Sequence, residues 1–225
     1  MWHELIKLWK AHNLLEEAWN QSFDMLSICQ EMFLHGVQVL REEDGKSISP
    51  DVRKKDKQVN KYEREVRRKV LTHLAVGAAD VPASLVLVTI IIDIERIGDY
   101  IKNIIDLATY HPKKLVAGKY EEELRKVEEA TKAAFQRVNR CIQHSDSETA
   151  LRLMNDHHWI NQLCDESIHS LVLGEDPSLS NGTVAAVTLY FRYLKRINSH
   201  FRNITTSVVN PFDRIGYRVK EKKEK

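Results

Sequence analysis

The feature of the sequence that most constrains the fold is an internal repeat with a spacing of about 100 residues. The segment DIERIGDYIKNI at 93–104 aligns with YLKRINSHFRNI at 193–204, and four of the twelve positions are identical. The segment DKQVN at 56–60 aligns in the same way with HHWIN at 157–161. A repeat of this length usually marks two copies of one supersecondary unit that stack against each other.

Each copy contains three segments in which apolar residues recur every three or four positions, as in amphipathic helices. The predicted helices cover residues 2–42, 50–74, 82–110, 117–144, 147–173 and 183–209. Glycine (8) and proline (5) are scarce, which favours long uninterrupted helices. The sequence therefore predicts an all-α, elongated fold of two tandem antiparallel three-helix bundles, 1–113 and 114–215, followed by a basic tail at 216–225.

Composition and charge exclude several classes of protein. The 34 basic and 32 acidic residues leave a net charge of +2, which is too small to indicate nucleic-acid binding. The apolar run 81–92 has 12 residues and no uncharged run exceeds 15, whereas a membrane span needs about 20. The 3 cysteines are far apart, so neither a disulfide framework nor a thiolate zinc site is predicted. The N-terminus does not resemble a signal peptide, and we expect a cytoplasmic protein.

Two pairs of oxygen-bearing side chains stand four residues apart on predicted helices. Glu95 and Asp99 form one pair, and Asp56 and Asn60 form the other. Residues at this spacing share a helix face, and two like charges there cost about 0.2–0.5 kcal/mol. Antiparallel helices could bring the pairs opposite each other, and carboxylate and amide oxygens suit magnesium, calcium, manganese or iron ions. The pattern predicts a metal site in which the bound cation offsets the repulsion.

Gly98 lies beside the acidic pair, inside a predicted helix where glycine costs about 1 kcal/mol relative to alanine. Its missing side chain would leave room for an ion, for the ion's water ligands or for a neighbouring helix. The alternative to a metal site is a metal-free scaffold. In that case the carboxylates form ordinary salt bridges with Arg64 and Arg96, and Gly98 serves packing alone.

The second copy does not preserve the acidic pattern. Lys195 and Ser199 stand where the first copy has Glu95 and Asp99. We therefore expect no equivalent metal cluster there. A weak second site remains conceivable from the residues His157, Asn161 and His200.

The segments KDKQVNKYEREV and DIERIGDYIKNI, with ERIGD at 95–99, resemble the PhoU family of bacterial phosphate-uptake regulators. The resemblance extends over essentially the whole chain and is stronger in the first copy. It implies two three-helix bundles side by side. It also implies metal ions, of iron or of the magnesium, manganese, calcium and zinc class, held by the acidic motifs. The residues that match those motifs are Asp56, Asn60, Glu95 and Asp99.

The same resemblance implies a role in restraining phosphate uptake. It implies a cytoplasmic, often homodimeric protein that binds the phosphate transporter ATPase and a sensor kinase, and that reaches the membrane only through its partner. We expect regulation by metal-dependent protein binding, in which the metal clamps the second and third helices and fixes the surface shown to the partner.

An enzyme is not predicted. A ferritin-like di-metal oxidase needs two Glu-x-x-His pairs facing inward, and the sequence offers only Glu166 with His169. The zinc motif HExxH and the phosphate-binding loop GxxxxGK[ST] are both absent from the sequence.

The second predicted helix is strongly basic, with nine Lys or Arg residues and four Asp or Glu residues in 51–70. Nucleic acid is not predicted as a partner, because Tyr62 is the only aromatic residue there that could stack on a base. A solvated face or a site for an acidic protein partner explains the charge as well.

Overall fold

The computed structural model describes residues 2–44, 50–76, 80–111 and 113–218, and it describes side chains at these positions except at 2–13 and 50. Its six α-helices are α1 (Trp2–Glu42), α2 (Pro50–Ala75), α3 (Val81–Tyr110), α4 (Glu121–His144), α5 (Ser147–Val172) and α6 (Asn181–Val209). No strand occurs in these ranges. The predicted all-α fold and its six helices are confirmed. The largest difference lies before α4, where Gly118–Tyr120 forms a 3-10 turn instead of the first helical turn.

The helices pack as two groups of three. Helix α1 packs against α2 and α3, and α6 packs against α4 and α5. The groups are joined where α3 meets α6 and where α1 meets α4. Helix α2 therefore lies on one outer side of the molecule and α5 on the other. None of the helices in the described ranges has the length and apolarity that crossing a membrane requires.

One apolar core runs through both groups. The ring of Phe135 on α4 lies 5.4 Å from that of Phe33 on α1 and packs edge-on against Phe201 on α6 at 4.7 Å, measured between centroids. All three rings are almost fully buried. Edge-to-face aromatic pairs contribute about 0.5–1.5 kcal/mol beyond the area they bury. Trp19 of α1 is half-buried against this core.

A buried ion-pair network lies where the end of α1 meets the second group. Arg41 Nε donates to Glu128 Oε1 at 2.9 Å, and the same guanidinium contacts Glu121 and the Leu115 carbonyl oxygen. The Tyr190 hydroxyl donates to Glu128 Oε1 at 2.7 Å. Burial raises the pKa of Glu128, while Arg41 and Tyr190 act in the opposite direction. Helices α1, α4 and α6 are thus joined by one carboxylate.

A second polar contact joins α3 to α6. Asp93 is 8% exposed, and its Oδ1 lies 2.7 Å from His200 Nδ1 and accepts a hydrogen bond from Asn203 Nδ2 at 3.0 Å. Nearby, Arg196 Nε donates to the Tyr100 hydroxyl at 3.1 Å. His200 is therefore engaged with the first group of helices.

The chain folds back after α6. Arg202 donates to the Gly216 carbonyl oxygen at 2.6 Å, and the Gly216 amide donates to Thr206 Oγ1 at 2.7 Å. Gly216 has a φ of +84°, in the left-handed region where glycine is favoured. Gly216, the first residue of the predicted basic tail, is thus held against α6, and 219–225 lie outside the described residues.

Candidate functional site

Three of the four predicted metal ligands, Asp56, Glu95 and Asp99, lie along the contact between α2 and α3, which we call the acidic seam. Lys102 Nζ lies 3.2 Å from Asp99 Oδ1 and 3.7 Å from Asp56 Oδ1, so one ammonium group bridges the two helices. The carboxylate of Glu95 lies one helical turn before Asp99 on the same helix face. Asn60 faces its own helix instead, because its Nδ2 donates to the Asp56 backbone oxygen at 3.0 Å.

Arginine completes the ion pairs of the seam. Arg96 Nη1 lies 3.2 Å from Asp99 Oδ2, and Arg96 Nε lies 3.6 Å from Glu95 Oε2. Among the described residues, Arg64 makes no ion pair with either carboxylate. The predicted alternative of salt bridges is thus confirmed for Arg96. The sequence analysis missed Lys102, although its position three residues after Asp99 was a usable signal.

The seam has more negative than positive charge. Burial raises the pKa of Glu95, with further contributions from the carboxylates of Asp99 and Glu63, and Arg96 opposes this rise. Burial, together with Asp56 and Glu95, also raises the pKa of the Cys29 thiol far above its usual range. All 3 cysteines of the chain are free and buried. The field at the seam therefore favours a proton or another cation over further negative charge.

The arrangement does not fit a metal ion as it stands. Across the part of the chain that the structure describes, no three Asp, Glu, His or Cys side chains are placed to share one ion. The ammonium group of Lys102 lies between Asp56 and Asp99, where a shared ion would have to bind. A metal would first have to displace this lysine. The metal assignment of the four residues stays a prediction.

Gly98 is explained by helix packing. A Cβ atom at this position would lie 3.4 Å from Val59 Cγ1 on α2 and 3.6 Å from Cys29 Sγ on α1. The missing side chain thus lets α3 approach both neighbouring helices. Of the three occupants that the sequence analysis allowed for this space, the structure supports the neighbouring helix.

We expect Gly98→Ala to keep or raise stability and Gly98→Leu to lower it. The alanine methyl meets its neighbours at ordinary contact distances and gains up to about 1 kcal/mol of helix propensity. Leucine overpacks the seam, at a cost of about 1–3 kcal/mol. Urea unfolding of both variants tests this. A stable leucine variant would show that the space beside Gly98 is open.

The second copy has a different arrangement at the equivalent positions. Lys195 forms an ion pair with Asp165 of α5, so α6 has a cation at the position where α3 has the carboxylate of Glu95. Ser199 Oγ donates to the backbone oxygen of Lys195 at 2.9 Å.

The three residues of the weak second site lie in different surroundings. His200 binds Asp93 of α3, as described above. His157 is 1% exposed, and burial lowers its pKa to about 4. Asn161 lines a separate cavity. Glu166 and His169, the pair considered for a di-metal oxidase, are both exposed on α5, so they do not face a bundle core.

The comparison with protein families bears on the first three helices. Residues 23–108, from α1 to near the end of α3, match the family model described as PhoU domain. This part of the chain is therefore similar to the PhoU domain. The matched region includes Asp56, Asn60 and the ERIGD segment, and the resemblance to the PhoU family is thereby confirmed.

Individual PhoU proteins resemble the chain over most of its length. The phosphate-specific transport system accessory protein PhoU homolog of Pseudomonas putida is 25% identical over 200 residues, which are 87% of this chain and 77% of that protein. The crystal structure of PhoU from Pseudomonas aeruginosa has a TM-score of 0.75 and 23% identity, covering 88% of this chain and 96% of its own. The phosphate transport system regulatory protein PhoU from Streptococcus pneumoniae has a TM-score of 0.78 and 15% identity, covering 88% and 95%. At these identities the two structures establish a shared fold.

Proposed function

We propose that this protein regulates phosphate transport by binding protein partners, and that it carries out no catalysis. The support is the match of residues 23–108 to the PhoU domain model, together with the name of the Pseudomonas putida relative as an accessory protein of phosphate-specific transport. The proposal includes a cytoplasmic protein, a homodimer, and negative regulation through the phosphate transporter ATPase and a sensor kinase.

The observation that supports a binding role is a row of basic side chains along the outer helix α2, which we call the basic stripe. It follows a single helix face at intervals of three or four residues. All five of its side chains are exposed, and they are Arg53, Lys57, Lys61, Arg64 and Arg68. Among the described residues only Lys61 has an ion-pair partner, Glu65. Such a one-sided field attracts and orients an acidic surface.

A protein partner fits this stripe better than nucleic acid does. Binding a single strand without sequence preference relies on aromatic rings on which bases stack. Tyr62 is half-buried against the core, and Gln58 Nε2 donates to its hydroxyl at 3.0 Å. The stripe therefore presents charge without a stacking surface.

Charge reversal on the stripe tests the binding role. We expect Lys57→Glu/Arg64→Glu to weaken binding to the transporter ATPase of the same organism at least tenfold, mainly through slower association. The matched control is Arg140→Glu/Arg192→Glu, which makes the same change at exposed positions on α4 and α6. Association and dissociation rates at two salt concentrations are the measurement. Equal loss in both variants, or no loss in either, would remove the stripe from the proposal.

The metal-dependent form of the proposal has its own test, the metal content of the purified protein by elemental mass spectrometry. Because the Lys102 ammonium group lies between Asp56 and Asp99, where a shared ion would bind, we expect wild-type protein purified without added metal to hold less than one ion per chain. We expect Lys102→Met to raise that content, since it leaves Asp56 and Asp99 without their shared cation. Stoichiometric metal in the wild type that is lost in Glu95→Ala/Asp99→Ala would establish the metal-dependent form instead.

A further inference from the structure

A cavity of about 400 Å³ lies between α5, α6 and the folded-back C-terminal segment, on the far side of the molecule from the acidic seam. Its lining side chains are Met154, Asn155, His158, Asn161, Arg202 and Arg218. They provide two guanidinium groups, one imidazole and two amides, and no carboxylate. The size lies within the range of about 300–1,000 Å³ that is usual for small-molecule sites.

The two guanidinium groups keep most of their donors available. Neither Arg202 nor Arg218 forms an ion pair with any described residue, and the one hydrogen bond that Arg202 makes is to the Gly216 carbonyl oxygen. An arginine side chain has five N–H donors. The nearby carboxylate of Asp156 is already paired with Arg137 at 2.5 Å. The cavity therefore has unpaired positive charge.

The hydrogen bond from Arg202 to the Gly216 carbonyl oxygen also shapes the cavity. It holds the turn after α6 against the helix, and Arg218 follows two residues later, so both guanidinium groups line the same cavity. Planar guanidinium forks match the oxygen spacing of phosphate and bind it with two parallel hydrogen bonds.

Asn161 adds an acceptor to these donors. It lines the cavity, and its Oδ1 is buried with no hydrogen-bond partner among the described residues. A buried acceptor without a partner is unfavourable, and the hydroxyl group of a singly protonated phosphate would satisfy it. A metal ion is disfavoured in the same place by the two arginines.

We propose that this cavity binds a phosphate-class oxyanion, either inorganic phosphate or the phosphate group of a small monoester. Arg202 and Arg218 neutralise the anion, His158 and Asn155 donate from the cavity wall, and Asn161 Oδ1 accepts a hydrogen bond from the protonated phosphate oxygen. The proposal rests on the cavity alone and is independent of the basic stripe on α2.

Isothermal titration of the full chain with inorganic phosphate, and separately with glycerol 3-phosphate, tests the site. We expect saturable binding that Arg218→Gln weakens about tenfold or more, since it removes a charge-assisted contact. The control is Arg192→Gln, the same change at an exposed position of α6 outside the cavity. If one of the two ligands binds at least tenfold more tightly, that ligand shows whether the phosphate group comes from the free anion or from an ester.

Three results would overturn the proposal. The first is no binding of either ligand at millimolar concentration by protein whose circular dichroism confirms folding. The second is binding that Arg218→Gln and His158→Gln leave unchanged. The third is equal loss in Arg192→Gln, which would indicate a general charge effect. Sulfate, which carries no proton at neutral pH, should bind more weakly than phosphate, and equal affinity would contradict the role of Asn161.

Discussion

Replacing Arg41 with methionine is expected to lower the free energy of unfolding by about 3–5 kcal/mol at neutral pH. The variant leaves the carboxylate of Glu128, which is 5% exposed, with the Tyr190 hydroxyl as its remaining partner in the network. A buried charge that loses its counter-ion is far more costly than the net contribution of the pair. Urea unfolding followed by circular dichroism measures the loss.

Two control variants distinguish the cost of a buried unpaired charge from the loss of an ion pair in general. The exposed Arg152 pairs with Glu148 on α5, and Arg152→Met should change stability little. The double variant Arg41→Met/Glu128→Leu should recover much of the loss, because an apolar pair of similar volume replaces the two charges. An Arg41→Met protein as stable as the Arg152→Met control would show that the network contributes nothing to the junction of the two helix groups.

The second large effect is a loss of stability in acid that depends on His157. Burial lowers the pKa of this imidazole to about 4, Arg202 and Arg137 add to the lowering, and Asp156 opposes it. In the unfolded chain a histidine titrates near 6.5. Between these values the unfolded state binds more protons, so stability is present above about pH 6.5 and falls as the pH approaches 4. The expected contribution to this fall is about 3 kcal/mol.

The adjacent histidine offers a matched control. His158 is exposed, so His158→Gln controls for the substitution itself, and His157→Gln should reduce the pH dependence relative to that control. Unfolding free energies at pH 7, 5.5 and 4.5 for the three proteins make the comparison. Parallel curves for wild type and His157→Gln would mean that the pKa of His157 does not differ between the folded and the unfolded protein.

The helices were predictable because their apolar spacing is a local property of the sequence. The start of α4 was missed, because the turn at Gly118–Tyr120 depends on contacts from elsewhere, such as the hydrogen bond from Lys119 N to Asp176 at 3.0 Å. That bond joins residues 57 positions apart, and periodicity carries no information about such a contact.

The candidate site was predictable in part for the same reason. The spacing of Glu95 and Asp99 follows from the sequence, and Lys102 was within reach of the same rule. The pairing of Asp93 with His200 was not, because these residues are 107 positions apart and meet only when the two helix groups pack. Helical spacing identifies which side chains share a face, and tertiary packing decides which cation they meet.

The position of α2 at the edge of the molecule has a consequence for how the protein opens. This helix is attached to α1 and α3 through a narrow row of short buried side chains, which are Val52, Val59, Val66 and Val70. Local opening of such an edge helix requires less free energy than opening α3, whose isoleucines are buried between both groups. Backbone amides of α2 should therefore exchange with deuterium before those of α3. A partner that binds the basic stripe would slow that exchange, and it would thereby hold Asp56 in place beside Lys102.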